Sequence, residues 1–168
     1  MFSRNSKLTG EIEYYYSADP AFDRETRRSD VEPPPDARGD WQPPLVFDYK
    51  RWSETGDEAC LPRKTGAQPV KIVCKRLTPA ARAYVEDLSN MSGQGKNREA
   101  AFLALVRIQV QRLEPHPPDD PPIKRVTVDG HSMLSDEWAG FLYDYDESQL
   151  FYELVARLYQ EMQPTARS

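Results

Sequence analysis

The residue types that most often carry chemistry are scarce in this chain of 168 residues. It holds two cysteines, Cys60 and Cys74, and two histidines, His116 and His131. Zinc ligands usually occur in closely spaced pairs, which these residues do not form. A Cys–His nucleophile pair that meets only in space stays open. We predict no catalytic residue, no metal site and no cofactor.

Two short motifs resemble ligand-binding loops but lack residues that the chemistry needs. Residues 93–96 (Gly-Gln-Gly-Lys) contain the Gly-Lys pair of a phosphate-binding loop. Asn90 and Asn97 stand where that loop needs a glycine and a Ser or Thr, so we predict a helix–helix connection instead. Residues 144–147 (Asp-Tyr-Asp-Glu) lack the alternating ligands and the glycine of a calcium loop. Their acidic side chains are expected to stabilise a helix N-terminus.

Aromatic side chains are the remaining candidates, because Tyr and Trp contribute most to binding energy at protein interfaces. We predict Tyr14, Tyr16, Trp41 and Trp52 to be partner-binding residues. The alternative, that most of these rings belong to the core, stays open. Strand alternation sends Tyr15 to the opposite face from its two neighbours, so one tyrosine is expected to be exposed or bound to a partner.

The composition indicates one ordinary core and two extended segments. The apolar fraction is 39%, and six of the 15 prolines lie in residues 20–44 and five in residues 115–122. Residues 46–113 carry 12 basic and 7 acidic side chains, whereas residues 114–168 carry 4 basic and 11 acidic ones. We interpret these parts as facing each other within the fold or across an oligomer. A nucleic-acid surface would need a dominant basic patch.

No targeting or membrane segment is expected. The chain has no run of eighteen apolar residues, and residues 1–7 lead into no apolar stretch. The two cysteines are too few for a disulfide framework. The sequence therefore predicts a cytoplasmic protein that has neither a membrane nor a nucleic acid as its partner.

The hydrophobic periodicity predicts an α+β fold, mostly helical, with about four helices, a small antiparallel β ribbon and an extended Pro-rich N-terminal arm. Residues 45–49 and 70–76 are expected to form the ribbon as a pair. The predicted strands are residues 7–16, 45–49, 70–76 and 123–128, the last followed by a tight turn at Asp129-Gly130.

Predicted helix starts are marked by side chains that can accept hydrogen bonds from the first free N–H groups. Apolar residues at spacings of three and four follow each helix start, and the stripe that follows Asn97 continues to Leu113. Gln149 is expected to complete a capping box with Asp146. The predicted caps are Thr78, Asn97, Ser135 and Asp146.

These elements divide the chain into three parts. Residues 1–44 are predicted to form a strand and an extended arm, either loose in solution or laid across a partner. The alternative is a long surface loop packed on its own domain. Residues 45–163 are predicted to be a single compact α+β domain, and residues 164–168 a tail.

The order of features over residues 45–160 points to a family. Residues 68–72 (Gln-Pro-Val-Lys-Ile) run into residues 76–82 (Arg-Leu-Thr-Pro-Ala-Ala-Arg), and a helical half follows that ends with residues 150–159. This order resembles small tail assembly chaperones and neighbouring morphogenesis proteins of tailed bacteriophages. The Pro-rich arm departs from that pattern and is more typical of a particle component whose arm contacts neighbouring subunits.

The resemblance implies a protein that is not an enzyme and that binds tail or head–tail proteins, or copies of itself. It also implies a location in the host cytoplasm during assembly, or in the virion. The arm and the exposed side of the last helix are the expected contact surfaces. Two alternatives stay open: an acidic adaptor or inhibitor unrelated to phage, and an enzyme with an unrecognised cysteine or carboxylate site.

Overall fold

The computed structural model describes residues 10–90 and 96–162. Within them the fold is α+β, as predicted, with five α-helices rather than four. The strands are β1 (Glu11–Tyr15), β2 (Lys71–Lys75), β3 (Val110–Glu114), β4 (Arg125–Val128) and β5 (His131–Leu134). The helices are α1 (Tyr49–Thr55), α2 (Pro79–Asn90), α3 (Lys96–Gln109), α4 (Asp136–Asp144) and α5 (Gln149–Met162), and Glu58–Cys60 form a 3₁₀-helix. The predicted tail of residues 164–168 lies outside the described residues.

The main sheet is antiparallel in the order β1-β2-β3. Ile72, Val73 and Cys74 of the central strand are buried, which confirms the predicted strand over residues 70–76. Its neighbours are β1 and β3, so the predicted pairing of this strand with residues 45–49 is wrong.

Residues 45–49 are not a strand. Leu45 forms one isolated bridge, with Arg27, and Tyr49 begins α1. The Asp48 side chain accepts a hydrogen bond from the Arg51 N–H at 3.0 Å, and Gly56 ends the helix with a left-handed φ of 72°. The helix has only 7 residues, too few for an apolar stripe to distinguish it from a strand followed by a loop.

The apolar stripe predicted to remain helical as far as Leu113 changes its period at Val110. There α3 ends and β3 begins without a connecting loop. Carbonyl groups at the end of a helix lack N–H partners within it, and here Arg125 supplies the donors. Its guanidinium donates to the carbonyl oxygens of Val110 at 2.6 Å and Ile108 at 3.1 Å. A side chain that is distant in the sequence, Arg125, therefore stabilises the boundary between α3 and β3.

Several local predictions are confirmed. The Ala81 N–H donates to the Thr78 hydroxyl at 3.1 Å, so Thr78 caps α2, and Ser135 caps α4. Asp129 and Gly130 both have positive φ, 51° and 81°, as a type I′ hairpin turn requires. The cap predicted at Asn97 is wrong, since α3 already begins at Lys96.

Buried side chains form two clusters, and β1 contributes to both. Ile12, Tyr14 and Tyr16 pack into the main core with the sheet and helices α2 to α5. Tyr15 points the other way, into the second cluster, which also contains Phe22, Trp52, Cys60 and Leu61. The predicted alternation is confirmed. The expected exposed tyrosine is wrong, because α1 and the segment around Phe22 cover Tyr15, which is 5% exposed.

Residues 19–27 pack on the domain rather than extending from it as a free arm. Phe22 is fully buried and forms a bridge with Arg63. The Asp23 N–H donates to the Pro62 carbonyl at 2.7 Å, and the Arg28 N–H donates to the Pro44 carbonyl at 2.9 Å. The Arg28–Pro44 hydrogen bond closes a loop of residues 28–44, which is mostly exposed. Contacts therefore cross the boundary that the sequence predicted between residues 44 and 45.

Ion pairs connect the basic middle of the chain with its acidic end. Contact within the fold is one of the two arrangements that the charge distribution predicts. Arg107 lies 3.1 Å from Asp136, and Arg76 lies 3.8 Å from Glu161. In the part of the chain that the structure describes, no helix is long and apolar enough to cross a membrane.

Replacing Phe22 tests whether the N-terminal segment belongs to the folded unit. Phe22→Ala should lower the free energy of unfolding by about 3–5 kcal/mol, because it leaves a cavity in the second cluster. Leu45→Ala, at a surface position 36% exposed, is the control and should cost less than about 1 kcal/mol. Urea denaturation measures both. Equal, small losses would show that residues 19–27 are not part of the core.

Glu11 links the two outer strands of the sheet and should make stability depend on pH. Its carboxylate accepts two hydrogen bonds from Arg112, at 2.9 and 3.0 Å, and these lower the pKa of Glu11. A lowered folded-state pKa gives stability that is present above the unfolded pKa, about 4.3, and lost as pH falls through the folded value. We expect the unfolding free energy of the wild type to fall more steeply than that of Glu11→Gln from about pH 5 to pH 3. A wild-type slope in Glu11→Gln would contradict the assignment.

Candidate functional site

Three of the four residues predicted to bind a partner are buried within the chain itself. Tyr14 and Tyr16 lie in the main core, and Trp52 lies in the second cluster, with exposed fractions of 2%, 6% and 7%. Tyr14 and Trp52 pack within the chain, whereas Tyr16 also lines the wall of a surface cleft. Partner binding by these three residues stays a prediction. Trp41 lies half-buried in the exposed loop, outside both clusters, and stays a prediction.

Two of these rings surround Arg157 of α5. The guanidinium carbon lies 5.5 Å from the ring centre of Tyr14 and 5.2 Å from those of Tyr49 and Trp52, which is cation–π geometry. Its Nε and Nη2 atoms are buried and have no hydrogen-bond acceptor among the described residues. The aromatic rings therefore stabilise this charge and connect α1 to α5, which is a structural role.

The two cysteines and the two histidines do not form a Cys–His pair in the part of the chain that the structure describes. Burial raises the pKa of both cysteine thiols, Cys60 and Cys74, which opposes formation of the nucleophilic thiolate. His116 packs against Trp138, and the ring of His131 packs against Tyr84 at 4.7 Å. Across residues 10–90 and 96–162, no group of three or more His, Cys, Asp or Glu is arranged to hold a metal ion.

An apolar cleft of about 130 Å³ lies between α4, the sheet and the Pro-rich connection at residues 115–122. We call it the aromatic cleft, because four rings contribute to its wall. Two further depressions, of about 140 and 170 Å³, lie beside α2 and α5 and have charged walls. The aromatic cleft is lined by Tyr16, Asp19, Val70, Ile72, Leu113, Pro117, Asp120, Trp138, Phe141, Leu142, Tyr145 and Leu150.

The four rings form two edge-to-face pairs. Trp138 and Phe141 have centroids 5.7 Å apart and planes at 74°, and Tyr16 and Tyr145 have centroids 6.0 Å apart and planes at 77°. Such pairs are a favoured aromatic geometry, and they turn ring faces in perpendicular directions. The wall of the cleft therefore contains four rings whose planes are crossed within each pair.

Hydrogen bonds hold the Trp138 side of the cleft in place. The indole Nε1–H of Trp138 donates to the carbonyl oxygen of Pro122 at 3.0 Å, and the His116 ring lies against the indole at 5.6 Å. The Nε2 atom of His116 lies 3.0 Å from the Pro121 carbonyl oxygen. The Pro-rich connection, which the sequence indicated only as an extended segment, is thus bound to α4 and forms one wall.

A left-handed turn holds the Tyr16 side. Asp146, Glu147 and Ser148 have φ of 51°, 53° and 69°, which is unfavourable for residues with a Cβ. The Tyr16 hydroxyl donates to the carboxylate of Asp146. Burial raises the pKa of Tyr16, and this hydrogen bond raises it further. The capping box predicted from Asp146 and Gln149 is therefore wrong, since α5 begins at Gln149 and the Asp146 side chain binds Tyr16.

Two carboxylates belong to the wall and differ in their surroundings. Asp19 is buried, and its oxygens accept hydrogen bonds from the backbone N–H groups of Ala21 and Val70, each at 2.9 Å. Asp120 is exposed at the rim. None of the described residues that line the cleft is a lysine or an arginine.

The aromatic surface continues beyond the cleft. Tyr143 and Tyr152 have ring centres 6.5 Å apart, and the Tyr152 hydroxyl donates to Glu99 at 3.0 Å. Hydrogen bonds to Tyr143 and Glu99 raise the pKa of Tyr152 to about 12. Six large hydrophobic side chains are exposed in the described part of the chain, and four of them lie at this corner of α4 and α5: Phe141, Tyr143, Tyr145 and Tyr152.

Sequence reasoning missed these four residues as a site. Their spacing puts Phe141 on the same side of the helix as Trp138 and Leu142, which are both buried, whereas Phe141 is 49% exposed. Residues three and four apart share a helical face, so spacing alone does not show which member of a stripe lies at its edge. The only available signal was the density of aromatic residues between positions 138 and 152.

Comparison of the chain with protein-family models, with curated proteins and with solved structures found no match. The functional assignment therefore depends on the chemistry of the cleft and on the sequence resemblance described above.

The left-handed turn beside the cleft gives a stability prediction. At Glu147, which is exposed and has φ 53°, a glycine relieves steric strain of about 1–2 kcal/mol but loses more backbone entropy on folding. Glu147→Gly should therefore be more stable than Glu147→Ala by about 0.5–1 kcal/mol in thermal or urea unfolding. In an ordinary helix the order is reversed, so an equal or more stable alanine variant would contradict the left-handed turn.

Proposed function

We propose that this protein acts by binding another protein, without catalysis, through the aromatic cleft and the adjoining Tyr143 and Tyr152. The observation that supports the proposal most strongly is the concentration of exposed aromatic side chains at one corner of the fold. Exposed apolar patches around a concave centre are typical of interaction surfaces, and aromatic residues contribute most of the energy there.

The polar groups of the cleft favour this function over catalysis. Asp19 is held by two backbone N–H groups, Tyr16 by Asp146, and the Trp138 indole by a backbone carbonyl. Each of these groups is engaged in shaping the wall. The surface left for a ligand is mainly aromatic and aliphatic, which suits recognition of a side chain.

The identity of the partner is proposed from the sequence resemblance of residues 45–160. It suggests a role in assembly of a tailed bacteriophage, with a tail or head–tail protein as the partner, in the host cytoplasm or the virion. The net charge of −5 and the acidic residues 114–168 also favour a second candidate, an acidic adaptor or inhibitor of a basic protein. Both candidates use the same surface.

Site-specific photocrosslinking tests the surface and identifies what it contacts. Phe141→p-benzoylphenylalanine places a crosslinker at the exposed edge of the cleft, and Val126→p-benzoylphenylalanine places it on β4 at a similar exposure of 42%. In the native host, irradiation should give a discrete adduct from position 141 that is absent from position 126. Mass spectrometry of the adduct should identify a tail or head–tail protein.

Two results would contradict the proposal. No adduct from position 141, or the same adducts from both positions, would show that the cleft is not a specific contact surface. An adduct with a basic protein unrelated to phage assembly would favour the adaptor or inhibitor over the phage role.

A further inference from the structure

We infer that the aromatic cleft receives a cationic side chain, a lysine or an arginine, from the partner protein. This inference rests on the proposed function and specifies which chemistry the surface recognises. It depends on the ring geometry, on the charges around the cleft and on the size of the cleft.

The rings provide the first argument. A cation is attracted to an aromatic face when it lies within about 6 Å of the ring centre. The pairs Trp138–Phe141 and Tyr16–Tyr145 are nearly perpendicular, and all four rings line the same small space. The chain already uses this interaction elsewhere, since Arg157 lies 5.2–5.5 Å from three ring centres. An aromatic enclosure of a cation is therefore compatible with this protein's own packing.

The charges provide the second argument. Asp120 contributes an exposed carboxylate to the wall, and Asp146 lies directly behind Tyr16. The segment that forms most of the rim, residues 114–168, carries 11 acidic and 4 basic side chains. Field lines of one sign concentrate in a cleft with apolar walls, so carboxylates without a lysine or arginine in the wall favour a cation over a neutral or acidic side chain.

The size of the cleft provides the third argument. A volume of about 130 Å³ accommodates the end of one side chain, whereas a helix is about 10 Å across. Leu142 and Leu150 in the wall match the aliphatic stem of lysine or arginine. The charged end then lies near the rim, where Asp120 and water are accessible.

An NMR titration of the full chain tests the inference with defined probes. The probes are the blocked peptide Ac-Gly-Gly-Lys-Gly-Gly-NH₂, its arginine counterpart, and a norleucine counterpart that retains the stem without the ammonium group. The readouts are the indole N–H signal of Trp138 and the ring signals of Phe141. We expect saturable shifts with the cationic peptides, with binding about threefold to tenfold tighter than with norleucine.

Matched variants separate the ring faces from the carboxylate. Phe141→Leu retains apolar volume at an exposed position but removes a π face, so it should weaken lysine binding and leave norleucine binding nearly unchanged. Asp120→Asn removes the rim carboxylate, and Asp119→Asn makes the same charge change at the adjacent exposed residue outside the wall. Only the first of these two should weaken lysine binding by about threefold or more.

Several outcomes would overturn the inference. Norleucine binding as tightly as lysine would show that the cleft selects apolar side chains, and absence of shifts with all three peptides would show that it does not take a single side chain. Equal losses in Asp120→Asn and Asp119→Asn would indicate a general charge effect. A specific crosslink from position 141 would still support the proposed function in each of these cases, so the two failures are distinguishable.

Discussion

The fold depends on the end of β1 and the residue after it, where large aromatic side chains are buried on both sides of the strand. Successive side chains of β1, and of Tyr16 directly after it, point in opposite directions, so Tyr14 and Tyr16 enter the main core while Tyr15 enters the second cluster. A strand of this kind needs cover on each side. The α-helical half covers one face, and α1 with the segment around Phe22 covers Tyr15 on the other. This requirement explains why the N-terminal residues pack on the domain despite their many charges and prolines.

The same constraint shapes the candidate site. Tyr16 follows β1 and lies in the wall of the aromatic cleft, and its hydroxyl holds the left-handed turn through Asp146. On the opposite wall the Trp138 indole is bound to the Pro-rich connection. Rings that are fixed before binding lose little conformational entropy when a partner arrives, so a preformed cleft favours affinity.

The sequence predicted features that are encoded locally. The caps at Thr78 and Ser135, the Asp129-Gly130 hairpin and the alternation of β1 depend on residues within a few positions of each other. Three kinds of feature were not predictable in this way. Helix α1 is too short to show a period, the α3–β3 boundary depends on distant Arg125, and the exposure of Phe141 depends on what packs against its helix. The burial of the predicted partner-binding aromatics has a related cause, because Tyr14 and Tyr16 pack into the main core and Trp52 packs into a second small core that the sequence did not indicate.

Native-state hydrogen exchange tests most directly whether β1 joins both clusters into one unit that supports the cleft. The Asp48 N–H, bonded to the Cys60 carbonyl at 2.8 Å, reports on the second cluster, and Leu105 and Leu154 report on the main core. We predict opening free energies for Asp48 and for the bonded amides of β1 within about 1 kcal/mol of the core values. Opening free energies across residues 10–63 that are several kcal/mol lower than the core values would contradict the account. The wall of the cleft that contains Tyr16 would then belong to a segment that unfolds separately.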